Sequence, residues 1–300
     1  MAVTAVAAVG LGLLLDALFA EVPSRVHPVV LFGRVVDRTD RGWRHPRPVG
    51  AAVAVALPLF AGVLAWAVVR SALAVGPVAA TVVAGLALFT TTSFRMLIGE
   101  ARRVVRLSEA DPDRARSQVP SLVGRDPADL SPADLRSAAV ESVAENLADG
   151  LVAPLLAFAV GTQVSLAVGV AAAVWVKAVN TLDSMLGYPS KPVGTASARL
   201  DDVVMWVPAR VTAVLLAVAG RSPRAVDRGR SWARRPPSPN SGWPMATLGA
   251  VLDVRLEKPG AYVLNPAADP PSIADAETGI RVAGGAGVLA IGLTGVAVWC

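Results

Sequence analysis

Three carboxylates recur at intervals of four residues near the middle of the chain, at Glu141, Glu145 and Asp149. On an α-helix this spacing places them along one face, with a drift of about 40° per step. Because like charges at this spacing destabilise an isolated helix, a positive group is expected opposite them. That group is a metal ion, a substrate amine, or arginine and lysine from elsewhere in the chain. A solvated helix face is the alternative.

Two further polar clusters follow the acidic stretch. Lys177, Asn180 and Ser184 share a helix face by their spacing of three and four residues, and Asp183 lies close to that face. Asp201 and Asp202 then follow Arg199 by two and three residues. These clusters supply the cations, carboxylates and amides that a site for charged substrates needs. Internal salt bridges between helices are the alternative for each charged residue.

The composition indicates a membrane protein. Hydrophobic residues make up 54% of the chain and charged residues 17%, with a mean hydropathy of +0.54, whereas soluble domains carry about 25% charged residues. The net charge of +5 does not indicate nucleic acid, because the basic residues flank apolar segments, as the positive-inside rule describes. The single cysteine, Cys300, excludes an intramolecular disulfide and a cysteine-based zinc site.

The apolar segments predict an all-α, multi-pass integral membrane protein, with residues 1–300 forming a single membrane-embedded domain and polar helical loops on the cytoplasmic side. The predicted apolar segments are 2–20, 49–69, 75–94, 150–176, 203–220 and 282–299, and the polar loops are 21–48, 95–149, 177–202 and 221–281. Segment 150–176 is either one span or a re-entrant hairpin, and 203–220 either crosses or lies at the interface. Convergence of the polar motifs on the cytoplasmic side is favoured, because chemistry needs them together.

Three local features are predicted within these segments. Ser131, Pro132 and Asp134 form the start of a helix, with serine at the N-cap and a capping-box acid three residues later. Arg210 lies inside the weak apolar segment and therefore needs an anionic partner. Asp16 is an ionisable residue near the end of the first span, which marks it either as functional or as reaching the interface.

An ordered series of motifs is similar to one family from about residue 16 to residue 265. The motifs are Asp16 with Pro23 and His27-Pro28-Val29, Glu141-Ser-Val-Ala-Glu-Asn-x-x-Asp149-Gly, Ala153-Pro154, Lys177-Ala-Val-Asn-Thr-Leu-Asp-Ser-Met-x-Gly-Tyr188, Ser197-Ala-Arg-Leu-Asp-Asp202, Pro208-Ala-Arg210 and Ser238-Pro-Asn-x-Gly-Trp-Pro244. Each motif is weak alone, and their order is specific. The chain resembles the CobD/CbiB family of cobalamin biosynthesis proteins, the adenosylcobinamide-phosphate synthases.

The resemblance implies a ligase of the cell membrane that forms a carbon–nitrogen bond. Such an enzyme joins aminopropanol phosphate to the f-side carboxylate of the corrinoid adenosylcobyric acid, with ATP and Mg²⁺ as the expected co-substrate and metal. Two departures stand out: Pro189-Ser-Lys-Pro-Val-Gly194 replaces an aromatic-glycine element, and Met205 replaces a usual asparagine. The expected partners are these substrates and membrane lipid, with a complex of other cobalamin-assembly proteins left open.

Roles for single residues follow from what activation of a carboxylate and attack by an amine require. The predicted catalytic residues are Glu141, Glu145, Lys177 and Asp183. The predicted substrate-binding residues are His27, Asn146, Asn180, Arg199, Arg210 and Asn240. The predicted magnesium ligands are Glu145, Asp149, Asp201 and Asp202. A corrinoid transporter and a non-catalytic membrane subunit of an assembly complex are the alternative functions.

Overall fold

Proline sets where five of the helices begin, because its fixed φ suits the first helical position and its missing N–H is not needed there. The computed structural model describes residues 2–119 and 129–300. It is 76% helical, which confirms the all-α prediction. The helices that start on proline begin at Pro28, Pro46, Pro77, Pro112 and Pro132.

The helices run in chain order with short connections. They are α1 (Ala2–Phe19), α2 (Pro28–Asp37), α3 (Pro46–Val75), α4 (Pro77–Thr91), α5 (Phe94–Ala110), α6 (Pro112–Gln118), α7 (Pro132–Leu147), α8 (Ala153–Thr162), α9 (Leu166–Leu186), α10 (Thr195–Val204), α11 (Trp206–Ala219), α12 (Ala225–Arg230), α13 (Gly242–Leu252) and α14 (Ile273–Trp299). A π turn (Ala148–Val152) joins α7 to α8, and a 3-10 turn (Pro192–Gly194) precedes α10. Strands β1 (Leu256–Lys258) and β2 (Tyr262–Leu264) form an antiparallel hairpin.

Six helical stretches of the described chain are long and apolar enough to cross a membrane. They are α1, α3, α4 continued by α5, α7 continued by α8, α9 and α14. A further apolar pair consists of residues Pro192–Val204, which include α10, and of α11. Its two halves meet at an angle of 47°, and the number of candidate spans becomes seven if the pair crosses as one span. The chain is therefore a multi-pass membrane protein.

Segment 150–176 is interrupted in the structure. Helix α8 ends at Thr162, and α9 begins at Leu166, where the Ser165 side chain accepts a hydrogen bond from the Val168 N–H. Helices α8 and α9 pack so closely that a Cβ on Gly161 would come within 2.7 Å of the Gly169 Cα. Helix α9 then continues to Leu186, well beyond the predicted apolar segment, and carries Lys177 and Asp183 within a regular helix.

The described residues group into two compact units. The first unit contains residues 1–93, 149–205 and 291–300, and the second contains 94–148 and 206–290. The single domain predicted from the sequence stays a prediction. In the first unit, α3 packs on α9, α1 packs on α4, and α10 contacts both α3 and α9. Small buried residues such as Ala8 and Ala84 line these contacts and let the helices approach closely.

The second unit is built around α7, which is buried along most of its length. Helices α5 and α13 and strand β1 pack against it. The predicted start of α7 is confirmed: the Ser131 hydroxyl accepts a hydrogen bond from the Asp134 N–H at 3.2 Å, and the Asp134 carboxylate accepts one from the Ser131 N–H at 3.0 Å. The local capping rule thus fixes where the central helix of this unit begins.

Candidate functional site

Three segments of the first unit bring ionisable side chains together. Asp149 comes from the π turn, Lys177, Asn180 and Asp183 come from α9, and Asp201 comes from α10. The buried Asn180 side chain hydrogen-bonds to the carboxyl groups of both Asp149 and Asp201. Lys177 attracts Asp149 electrostatically, and Asp183 repels Asp201. We call these five residues the aspartate–lysine cluster.

The charges of the aspartate–lysine cluster do not balance. The cluster holds three carboxyl groups and one ammonium group, and Lys177 attracts Asp149 among them, so full ionisation leaves an excess of negative charge. One oxygen of Asp201, Oδ1, is buried and accepts no hydrogen bond from the part of the chain that the structure describes. A buried acceptor without a partner is costly unless a ligand or cation satisfies it. The cluster is therefore suited to a positive or hydrogen-bond-donating ligand.

The π turn that carries Asp149 is held by a close backbone contact within the first unit. The Ser93 N–H donates to the Gly150 carbonyl oxygen at 3.0 Å. A Cβ at Gly150 would come within 2.7 Å of the Ser93 hydroxyl oxygen, so only glycine fits without a shift. Single π turns inside helices are frequent at functional sites. The turn also ends the regular α-helical phase after Leu147, on which the predicted acidic face relied.

His27 lies beside the aspartate–lysine cluster in the first unit. Its Nδ1 caps α2 by accepting a hydrogen bond from the Val29 N–H at 3.1 Å. Its Nε2 lies 3.9 Å from a Glu21 carboxylate oxygen. Burial lowers the pKa of His27, Glu21 opposes that shift, and the positive charge of Lys177 adds to it. The neutral imidazole thus has a structural role as a cap, and its predicted role in substrate binding stays a prediction.

Helix α10 carries the remaining predicted residues of the first unit. Arg199 is exposed and attracts Asp202 electrostatically. Asp202 also repels Asp183 and Asp201. The second charged cluster of the sequence therefore does join the segment 177–183, as predicted from the chemistry. Asp149 joins them from the acidic stretch.

Glu141 belongs to the second unit and is almost fully buried, with 1% of its surface exposed. The Ser137 hydroxyl donates to Glu141 Oε1 at 2.7 Å, and the Tyr262 hydroxyl donates to Oε2 at 2.7 Å. Ser137 in turn accepts a hydrogen bond from the Glu257 N–H at 2.7 Å. Both carboxylate oxygens are thus held by neutral donors, which tie α7 to the β-hairpin. We call Ser137, Glu141, Glu257 and Tyr262 the glutamate network.

Glu145 and Asn146 lie further along α7 in the second unit, and both are half-buried. The Asn146 amide donates to the Ser142 hydroxyl at 2.8 Å, one turn earlier on the same helix. The predicted catalytic and metal-binding roles of Glu145, and the predicted substrate role of Asn146, stay predictions.

Arg210 and Asn240 also meet in the second unit. The Arg210 guanidinium donates to Asn240 Oδ1 at 2.6 Å and to the Pro239 carbonyl oxygen at 3.2 Å. It stacks between two indole rings, 4.5 Å from the Trp206 centroid and 5.0 Å from the Trp243 centroid. An aromatic and amide cage thus surrounds this guanidinium, and the anionic partner expected for it stays a prediction. The contacts fix the loop before α13, and a substrate role for Arg210 and Asn240 stays a prediction.

The expected magnesium ion would need oxygen ligands that lie close together in the structure. In residues 2–119 and 129–300, no three histidine, cysteine, aspartate or glutamate side chains form a preformed metal site. Magnesium, however, is often bound by one or two carboxylates and completes its shell with water and substrate phosphates. The free Oδ1 of Asp201 and the carboxyl group of Asp149 supply such a pair. The oxygen donors of the aspartate–lysine cluster therefore fit magnesium.

Three residues of these sites were not singled out by the sequence. Glu21 interacts with both His27 and Lys177, and it lies only two residues after the end of α1. Ser137 and Tyr262 satisfy Glu141 from positions 4 and 121 residues away. The spacing of four residues to Ser137 was visible in the sequence as a helix-face neighbour, whereas no local signal connects Tyr262 to Glu141.

The helical spans and the buried groups of ionisable side chains define a multi-pass membrane protein with a polar site. The chain matches the family described as CobD/Cbib protein over residues 9–294. It belongs to the CobD/CbiB family, as the motifs indicated.

Curated relatives support this membership along most of the chain. The chain is 37% identical over 296 residues to the probable cobalamin biosynthesis protein CobD of Methanothrix thermoacetophila, covering 93% of this chain and 92% of the relative. It is 44% identical over 262 residues to the cobalamin biosynthesis protein CobD of Mycobacterium tuberculosis, covering 84% and 80%. The corresponding protein of Geobacter metallireducens is 38% identical over 272 residues, covering 86% and 83%. No solved structure matches the chain.

Proposed function

We propose that this protein is the ligase that converts adenosylcobyric acid to adenosylcobinamide phosphate. It forms an amide between the f-side carboxylate of the corrinoid and the amine of aminopropanol phosphate. The family membership supports a role in cobalamin biosynthesis. The observation that carries the reaction is the aspartate–lysine cluster, which combines carboxylates, an amide and an ammonium group and includes one buried oxygen with no hydrogen-bond donor among the described residues.

The reaction needs an activated carboxylate, because an oxide is too poor a leaving group for direct attack by an amine. ATP is the proposed source of activation, giving an acyl phosphate or an acyl adenylate. Attack by the amine on that acyl carbon forms the C–N bond, breaks the C–O bond to the phosphate group and releases one proton. The carboxylate of Asp183 is the proposed acceptor of that proton.

The remaining side chains of the cluster hold charge in place. Lys177 is proposed to bind a phosphate of the amine substrate or of ATP, since an ammonium group is a compact cation with three donors. Asn180 keeps the carboxyl groups of Asp149 and Asp201 oriented through its amide. Asp149 and Asp201 are the proposed ligands of magnesium, which when bound would neutralise phosphate charge.

A direct assay tests the proposal. Protein purified into lipid nanodiscs is mixed with adenosylcobyric acid, (R)-1-amino-2-propanol O-phosphate, ATP and MgCl₂, and adenosylcobinamide phosphate is measured by liquid chromatography and mass spectrometry. We expect the native chain to form product, and Lys177→Ala to reduce the rate by about 100-fold or more. Lys258→Ala, on β1 in the second unit, is the matched control and should retain the native rate.

The same purified protein, reconstituted into sealed vesicles as well as nanodiscs, separates the alternatives. A transporter would move the corrinoid into sealed vesicles without forming an amide, since intramembrane charges also mark transport pathways. A non-catalytic subunit would yield product only after other cobalamin-assembly proteins are added. Product from the purified chain alone excludes both, and full activity of Lys177→Ala would overturn the assigned site.

A further inference from the structure

Four arginines line one surface pocket of the second unit. The pocket has a volume of about 530 Å³. Arg102, Arg103 and Arg106 project from α5, and Arg114 projects from α6. Gly99 lies at its wall and leaves open space, since a Cβ there would meet no atom within 4 Å. The proposed reaction uses none of these residues.

The sequence of α5 explains why the arginines gather. Its apolar residues recur on one face, which is buried in the second unit and includes Leu97, Ala101 and Val104. Arg102 and Arg106 are four residues apart and therefore share the opposite, exposed face. Helix α6 packs on α5, and its N-cap, Asp111, accepts a hydrogen bond from the Arg114 N–H at 3.0 Å.

The four arginines of this pocket carry more positive charge than the described acidic residues neutralise. Glu100 lies 3.7 Å from Arg103 on the same helix. Within the described ranges 2–119 and 129–300, the guanidinium groups of Arg102, Arg106 and Arg114 form no ion pair. Like charges four residues apart destabilise a helix. A bound anion would remove that repulsion.

We propose that this arginine pocket binds a phosphate-bearing anion with two or more negative charges. Guanidinium groups match phosphate oxygens with two parallel hydrogen bonds, which favours arginine over lysine at such sites. The volume lies within the range of about 300–1,000 Å³ typical of ligand pockets. The proposal does not depend on the reaction proposed above.

Two sources supply this chemistry. Helices α4 and α5 together form one candidate span of 34 residues, so the arginines follow directly on an apolar stretch, where basic residues bind anionic lipid headgroups. A soluble nucleotide or pyrophosphate carries the same phosphate groups. Both ligands use the same guanidinium contacts, and the experiment distinguishes them.

The test uses full-length protein in nanodiscs of neutral phosphatidylcholine. In one arm, binding of pyrophosphate and of ATP is measured by isothermal titration calorimetry at 50 mM and 300 mM salt. In the other arm, cardiolipin retained by the protein is quantified by native mass spectrometry. We expect saturable binding in at least one arm. The arm that shows it identifies the source.

Three variants connect the binding to the pocket. Arg102→Gln combined with Arg106→Gln should weaken the observed binding by at least tenfold. Gly99→Leu, which fills open space without changing charge, should weaken it as well. Arg44→Gln combined with Arg47→Gln is the control, because it removes the same charge from two exposed arginines of the first unit, and it should bind like the native chain.

The outcomes that overturn the proposal are equally definite. No saturable binding in either arm contradicts it. Native affinity in both the double arginine variant and Gly99→Leu contradicts it too, as does an equal loss in the control. Circular dichroism and the melting temperature show whether each variant is folded, and Gly99→Leu keeps the test valid if loss of the arginines disturbs α5.

Discussion

Two acidic sites of this protein, one around the buried Glu141 and one around the half-buried Asp201, differ in what surrounds the carboxyl groups. In the glutamate network of the second unit, each oxygen of Glu141 accepts a hydrogen bond from a neutral hydroxyl, at 2.7 Å in both cases. In the aspartate–lysine cluster of the first unit, carboxyl groups repel one another and Asp201 Oδ1 accepts no hydrogen bond. Each oxygen of Glu141 thus has a hydrogen-bond donor, whereas Asp201 has one oxygen without a donor among the described residues.

This difference separates a structural carboxylate from one suited to bind a ligand. A buried acid whose hydrogen bonds are all made stabilises the fold, and removal of a donor leaves an unsatisfied group. A buried acid held near other acids costs stability, and such groups cluster at functional sites. A substitution in the aspartate–lysine cluster should therefore lower the reaction rate without lowering stability. A substitution in the glutamate network should lower stability and leave the rate nearly unchanged.

The largest expected effect is at Asp201. The change Asp201→Asn removes one of the mutually repelling charges while keeping the shape of the side chain. We expect the rate of adenosylcobinamide phosphate formation to fall by about 100-fold or more, and the melting temperature to stay the same or rise. Both are measured on the nanodisc preparation, by product formation and by differential scanning fluorimetry.

Asp269→Asn is the matched control for this variant, because Asp269 is exposed in the second unit. It should leave rate and melting temperature unchanged. A clear loss of stability in Asp201→Asn, or a native rate of product formation, would contradict the assignment of Asp201 to a ligand site.

The next effect is at Tyr262. The change Tyr262→Phe removes the hydroxyl that donates to Glu141 and leaves a buried oxygen without that donor. We expect the free energy of unfolding to fall by about 1–3 kcal/mol, measured by reversible denaturation in detergent. The rate per folded molecule should remain within about threefold of native, because the glutamate network is assigned a structural role.

Glu141→Gln sharpens this point, because the sequence predicted a catalytic role for Glu141. If the network is structural, this variant loses stability and keeps its rate when folded. A rate about 100-fold lower in protein shown to be folded would restore the catalytic interpretation.

The contrast also shows how far local sequence rules reach. The capping box at Ser131 was predictable, since all its contacts lie within one turn. Apolar spans such as the first were also predictable, because the length and composition of an apolar run are local properties of the sequence. The face shared by Glu141, Glu145 and Asp149 assumed an unbroken α-helix, and the π turn at 148–152 interrupts it.

Contacts distant in sequence could not be predicted from spacing. The Tyr262 hydroxyl reaches Glu141 across 121 residues, from a β-hairpin that the sequence did not indicate. Helix α9 extends through Lys177 and Asp183, as the helical spacing of Lys177, Asn180 and Ser184 predicted, whereas the contact of Asn180 with Asp149 was not visible in the spacing. The chemistry of the residue types, rather than their spacing, correctly associated segment 177–183 with Asp201.

A smaller effect is expected from pH at His27, beside the aspartate–lysine cluster. Burial lowers the pKa of His27 in the folded state, opposed by Glu21 and aided by Lys177. The unfolded chain therefore binds the proton first, so stability is full above the unfolded pKa of about 6.5 and falls as pH decreases through the folded pKa.

His27→Asn tests this pH effect, because asparagine retains an acceptor for the Val29 N–H and does not titrate. The slope of melting temperature against pH between about pH 5 and 7 should become shallower. At pH 8 the variant should lose no more than about 1 kcal/mol. An unchanged slope would show that other groups of the first unit determine the acid sensitivity.

The smallest effect is expected at an exposed ion pair of the second unit. It serves as a comparison for the glutamate network and the aspartate–lysine cluster. Arg228 donates to Asp253 Oδ1 at 2.6 Å, and Asn265 donates to the same oxygen at 3.3 Å. These hydrogen bonds lower the pKa of Asp253, so their contribution to stability is present above the unfolded pKa of about 3.9 and is lost as pH falls through the folded pKa.

Because the Asp253 side chain is 70% exposed, solvent screens the pair, and Asp253→Asn should cost about 0.5 kcal/mol or less. The measurement is the unfolding free energy at pH 7 in low and high salt. A loss as large as that of Tyr262→Phe would show that exposed charge, and not complete hydrogen bonding of a buried acid, stabilises this unit.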